Sequence, residues 1–191
     1  MIQIYAGGVK CALFVLLPLS VEVLLGQEAD IARQPDQKWH RLVSVEGGFT
    51  VEMPSEPQKE TQDNKTVAGI VQTTRYSLKL DGGNTWFNAT FFDVSPDAPA
   101  ATPEQRLDAV RDQLSAGGYV LKSETKVSMG THPGRDWSHE SKERSIRTRL
   151  FLVGNRFHRL TIYTNDKSTS TQADIKRFLD SLTLTDAAGK M

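Results

Sequence analysis

The chain has 191 residues, room for one domain and little more. Its 23 Lys and Arg balance 23 Asp and Glu, and a formal charge of zero argues against a nucleic-acid binder, which draws affinity from excess positive charge meeting phosphates. Charged residues at 24% and aromatics at 8% belong to a folding soluble domain, not a disordered one.

Residues 1–26 read as an export signal. Lys10 supplies the positive n-region, and Cys11 to Leu25 form a 15-residue apolar run interrupted by Pro18 and Glu22. A bilayer-spanning helix needs about 20 apolar residues, so the run is too short for an anchor, and no transmembrane span is expected in the mature chain. Gly26 offers a small residue for cleavage, with Ala29 as the alternative. Cys11 is the only cysteine and lies at the start of the apolar run, whereas a lipoprotein signal places its cysteine after that run. The mature chain is therefore expected to hold no disulfide, no thiol nucleophile and no Cys-based zinc site. Residues 27–38 are polar and aperiodic, a linker.

A domain is expected from Trp39 to residue 186, followed by a short tail at 187–191. Val43 and Val45, then Phe49, Val51 and Met53, alternate about Gly47-Gly48 and predict a hairpin, which Pro54 and Pro57 end. Residues 67–80 predict a long strand, Asp81-Gly82-Gly83-Asn84 a turn, and 85–94 a strand with large apolar groups on both sides: Phe87, Ala89 and Phe91 against Trp86, Phe92 and Val94. Such a strand is expected to be covered on both faces. Thr102, Pro103 and Gln105 form the start of a helix with a capping box; Leu107, Val110 and Leu114 give it one apolar stripe, and Gly117-Gly118 stops it. Leu121 to Met129 reads as a strand, Thr131-His132-Pro133-Gly134 as a turn, and Arg135 to Ser141 as extended chain. Residues 145–153 and 156–164 predict a hairpin about Gly154-Asn155. The last helix carries Ile175, Phe178, Leu179 and Leu182 on one stripe, with Ser168, Thr169 and Ser170 as possible caps. About six or seven strands with two helices give an α+β fold, an antiparallel sheet with helices packed on its faces.

Four phrases occur in order: Glu-Gly-Gly-Phe-Thr-Val-Glu-Met-Pro at 46–54, Thr-His-Pro-Gly-Arg-Asp at 131–136, Arg-Leu-Phe-Leu-Val-Gly-Asn-Arg-Phe-His-Arg-Leu at 149–160, and Phe-Leu-Asp-Ser-Leu at 178–182. Together they resemble exported bacterial domains of uncharacterised role with the PsbP-like fold, which is shared by the extrinsic PsbP proteins of photosystem II and a Ran-binding nuclear-import factor. The resemblance covers about residues 39–186 and implies an α/β/α sandwich and a bacterial source. The phrases consist of turns and core residues, so they carry fold and transfer no functional residue.

Candidate chemistry is sparse. His132, Asp136, His139 and Glu140 have ligand-like spacing for a helix, but Pro133-Gly134 forbids that helix, and on a strand His139 and Glu140 point to opposite faces. No metal and no cofactor is expected. Motifs for covalent catalysis, nucleotide loops and the zincin pattern are missing, and the four histidines are scattered. Asn64 and Asn88 head glycosylation sequons that are not expected to be used. The notable feature is cationic: Arg144, Arg147, Arg149, Arg156, His158 and Arg159 crowd into 16 residues. A two-residue turn at Gly154-Asn155 pairs Val153 with Arg156 and Arg149 with Leu160. It places Arg147, Arg149, Arg156 and His158 on one face, with Arg159 on the other. The first four form a candidate face for an anionic envelope partner or a protein; the plainer reading is that their stems cover the sheet while their heads meet water or nearby carboxylates such as Glu140, Glu143 and Asp136. The expected function is an exported, non-catalytic binding or scaffolding domain. The alternatives are an exported hydrolase or metal-dependent enzyme whose site assembles only in the fold, and a structural envelope protein.

Overall fold

The computed structural model describes residues 39–66 and 69–185, all of which fall within one unit. The expected signal segment 1–26, the linker 27–38 and the tail 187–191 lie outside the described residues. In chain order, β1 (His40–Ser44) and β2 (Phe49–Met53) form the first hairpin, followed by β3 (Gln58–Thr66), β4 (Gly69–Leu80) and β5 (Thr85–Asp93). Helix α1 (Pro103–Ala116) leads to β6 (Val120–Met129), β7 (His132–Glu140), β8 (Ser145–Val153) and β9 (Arg156–Thr164). Helix α2 (Gln172–Asp180) precedes a short β10 (Thr183–Leu184). The seven strands β3-β4-β5-β9-β8-β7-β6 make one antiparallel sheet, and β1-β2-β10 make a second of three. The α+β class, an antiparallel sheet with helices packed on its faces, is the one read from the sequence; the separation of β1 and β2 into a second sheet with β10 was not.

Alternation decides what each face of the large sheet buries. Odd residues of β5 and even residues of β9 turn to one side, where Phe87, Ala89, Phe91, Leu160 and Ile162 meet Phe49, Val51 and Met53 of β2 and the α2 stripe of Ile175, Phe178 and Leu179. Phe178 stands edge-on to Phe87 with centroids 5.2 Å apart. On the other side α1 lies over β7 and β8, and Leu107 and Val110 pack on Trp137, Leu150, Leu152 and Phe157. The expected capping box is present: the Thr102 N–H donates to Gln105 Oε1 at 2.9 Å, and the Gln105 N–H donates to Thr102 Oγ1 at 3.2 Å.

Several expectations need correction. Strand β3, Gln-Lys-Glu-Thr-Gln-Asp-Asn-Lys-Thr, was not anticipated after Pro57, because an edge strand wet on both sides has no apolar alternation to betray it. The reversal between β6 and β7 lies at Gly130-Thr131, and His132, Pro133 and Gly134 already belong to β7. Gly134 is there for space, not for a turn: a Cβ on it would stand 2.5 Å from the Leu150 carbonyl oxygen and the Phe151 ring. Helix α2 is capped by Thr171 in a box with Asp174, while Ser168 bonds Thr85 and Thr169 bonds Asp81. Strand β5 is not covered along its whole second face. Trp86 is only half-buried there, because α1 is centred two strands away over β7 and β8.

Candidate anion-binding cleft

Where α1 ends its cover, the strands β3, β4, β5 and β9 leave an open floor whose side chains can be read row by row from the register. One row is Lys79–Trp86–Tyr163 and the next Ser77–Asn88–Thr161. The third is Glu60–Arg75–Thr90–Arg159, continuing through Leu150 to Arg135, and the fourth is Thr73–Phe92–Phe157. Along the strands the floor thus runs from aromatic and basic, through neutral polar, to basic and then apolar. The first three rows line a cleft of about 630 Å³, closed at its rim by Tyr119 and Arg144. The volume falls within the ~300–1,000 Å³ typical of small-molecule sites.

The cleft carries more positive than negative charge. Arg75 donates to Glu60 at 2.6 Å, so that pair is neutral. Lys79 and Arg144 both rest over the Trp86 ring, with the cation 4.3 Å and 5.2 Å from the centroid, an arrangement that holds each cation without neutralising it. Arg159 lies over the Phe92 ring at 5.7 Å. Its Nε is sealed from water with no hydrogen-bond partner, and among the described residues no carboxylate reaches its guanidinium. Burial holds the Arg159 pKa below its ordinary value; Tyr163 opposes that shift and Arg75 adds to it. An arginine in this condition favours any anion that can enter, because the anion supplies the missing counter-charge.

Arg135, on the same row beneath α1, shows the contrast. Its side chain is 6% exposed, and Glu124 at 3.2 Å and Asp108 at 3.5 Å hold it. Arg111 joins the same network through Glu124 at 2.9 Å.

The residues singled out from the sequence fall on the opposite face. Arg147, Arg149, Arg156 and His158 do share one side of the β8–β9 hairpin, with Val153 paired to Arg156 and Arg149 to Leu160. Arg149 donates to Asp136 at 2.8 Å and to Asp180 at 2.6 Å, and Arg147 reaches Asp136 at 3.2 Å. Arg156 forms a two-armed pair with Asp93 at 2.7 and 2.8 Å. Asp93 and Asp180 are both held below the usual carboxylate range, Asp93 by Arg156 and Asp180 by Lys176 and Arg149. His158 is 3% exposed beneath Phe49, and burial pushes its pKa down to about 4. Arg159, the one arginine of the hairpin assigned to the other side, lies in the cleft. Its register was legible, but its lack of a partner was not.

The four residues with ligand-like spacing separate. His132, Asp136 and Glu140 share one face of β7, while His139 turns to the α1 side. There its Nε2 stands 3.4 Å from Ser115 Oγ, burial and Arg111 lower its pKa, and its Nδ1 has no partner. A serine nucleophile needs a base that is itself oriented by a third group; this pair lacks the third group among the described residues.

No family model matches the chain, and no curated protein matches it. Among solved structures the chain is similar to the solution structure of cyanobacterial PsbP (CyanoP) from Synechocystis sp. PCC 6803, with 11% identity over 78% of this chain and 93% of that one, and a TM-score of 0.49.

Proposed function

We propose that the protein is an exported, non-catalytic binding domain that takes an anionic group in the cleft over β4, β5 and β9. One observation carries this reading: Arg159 brings a guanidinium without a carboxylate partner into an open cleft lined also by Lys79 and Arg144. A partly desolvated charge with no ion partner costs the fold stability, and an entering anion offsets that cost. Trp86, Tyr163 and Tyr119 give the same cleft flat apolar surface beside its cations, as expected of a site that holds more than a bare ion. Export is supported by the short apolar run at 11–25 with Lys10 ahead of it. Arg147, Arg149, Arg156 and His158 on the opposite face are the other place for an anionic partner, though their arginine heads already hold Asp136, Asp180 and Asp93.

The test is calorimetric titration of the full chain with inorganic phosphate at low ionic strength. Saturable binding that is lost in Arg159→Met and kept in Arg147→Met supports the cleft. Loss in Arg147→Met with retention in Arg159→Met moves the site to the opposite face.

A further inference from the structure

Beyond Arg159 the floor changes character. The row Thr73–Phe92–Phe157 opens a second hollow of about 590 Å³ between the sheet and α1, walled by Val71, Val94, Ala98, Val110 and the two phenylalanines. Phe92 and Phe157 lie ring on ring, with centroids 4.9 Å apart and planes tilted by 31°, so its base is continuous apolar surface. Glu60, Arg75, Thr90 and Arg159 border both hollows; Glu60 is taken up by Arg75, so the hollows meet at the unpaired Arg159 guanidinium. Arg106 is the other cation on the wall, and it turns its Nε to the Ala101 carbonyl.

An apolar trough that ends on an unpaired cation matches one kind of molecule. We infer that the ligand is a single-chain amphiphile with a carboxylate head, a long-chain fatty acid or its close kin, its head on Arg159 and its tail between α1 and the β4–β5 strands. This rests on the reading of the cleft as an anion site and adds the tail to it. Charge complementarity selects the head, and the apolar walls select the tail. Neither a small inorganic anion nor an uncharged chain uses both halves.

The experiment is calorimetric titration of the full chain with acetate, hexanoate, octanoate and decanoate below their micellar concentrations, with decanol as the uncharged chain and inorganic phosphate as the bare anion. Ala109, an exposed α1 position on the groove wall, is replaced by Trp to fill the trough without disturbing the core. The inference predicts affinity that rises roughly two- to fourfold per added methylene. It also predicts that this dependence is lost in Ala109→Trp, which still binds phosphate, and that Arg159→Met loses both. Affinity that is flat with chain length overturns the amphiphile and leaves the anion site standing. Decanol binding as tightly as decanoate overturns it too, since Arg159 would then select nothing. Failure of every anion, phosphate included, overturns the reading of the cleft itself.

Discussion

Arg135 and Arg159 rise from one row of the sheet on either side of Leu150, yet Arg135 is held by Glu124 and Asp108 while Arg159 meets no carboxylate among the described residues. The difference follows from where α1 lies. The helix brings Asp108 over β7, and Glu124 of β6 completes the pair. Over β9 and β5 the carboxylate that lines the cleft, Glu60, is taken up by Arg75, and none among the described residues pairs with Arg159.

Stability should therefore respond oppositely to the same substitution. Arg159→Met removes a partly desolvated charge that has no ion partner and keeps the stem's packing on Phe92, so urea unfolding should show no loss and a gain of up to about 1 kcal/mol. Arg135→Met strips partners from Glu124 and Asp108 and should lose about 1–3 kcal/mol. A loss from both would mean that Arg159 has a structural partner.

His158 sets a pH dependence. Burial, with Arg156 and His132 adding and Asp93 opposing, holds its folded pKa at about 4, below the ~6.5 of an unfolded histidine. From about pH 6.5 downward the unfolded chain takes up a proton that the fold refuses, so stability falls progressively and the loss levels off near pH 4, at about 3 kcal/mol or less. His139 shifts in the same direction, whereas the lowered Asp93 and Asp180 act only below about pH 4. Denaturation midpoints across this range should show a shallower slope in His158→Leu than in the parent; an unchanged slope would remove His158 from the account.

The core of the α2 layer rests on Phe178, which is fully buried against Phe87. Phe178→Ala should cost about 3–5 kcal/mol, a large share of the ~5–15 kcal/mol that holds a domain folded. Lys176, on the exposed side of the same helix, pairs among the described residues with Asp180, and Lys176→Ala should change stability by less than about 0.5 kcal/mol. Thermal unfolding of the two variants checks the contrast.

Gly134 should tolerate no side chain. Its neighbours are the Leu150 carbonyl and the Phe151 ring, so Gly134→Ala must push β7 away from β8. The expected cost is about 1–3 kcal/mol, read from the urea midpoint. An alanine that costs nothing would mean that β7 is held less closely than described.

These residues also mark how far the sequence could be read. The register of the β8–β9 hairpin was legible because alternation and a two-residue turn fix it together, and it put Arg159 on the face opposite Arg149. The α1 cap was legible because Thr102 and Gln105 meet within one turn of helix. Of what Arg149 and Arg156 bond, only Asp136 was legible, as a carboxylate near in sequence; Asp180 and Asp93 arrive from α2 and β5. The cleft was hidden for the same reason. The apolar pattern of β5 shows that Trp86 and Phe92 share a face, but the extent of the cover over that face depends on where α1 comes to rest. Pro133-Gly134 misled because the pair is read as a turn by default, while here glycine serves the close approach of two strands.

The central claim is that the cleft at Arg159 receives an anion. Its most direct test is the side-chain Nε–Hε resonances of arginine in the ¹⁵N-labelled full chain as inorganic phosphate is added at low ionic strength. The account predicts a saturable shift of Arg159, while Arg135, Arg149 and Arg156 keep their positions because their carboxylates already hold them. A titration in which Arg159 stays fixed, or in which Arg147, Arg149 and Arg156 move in its place, would contradict it.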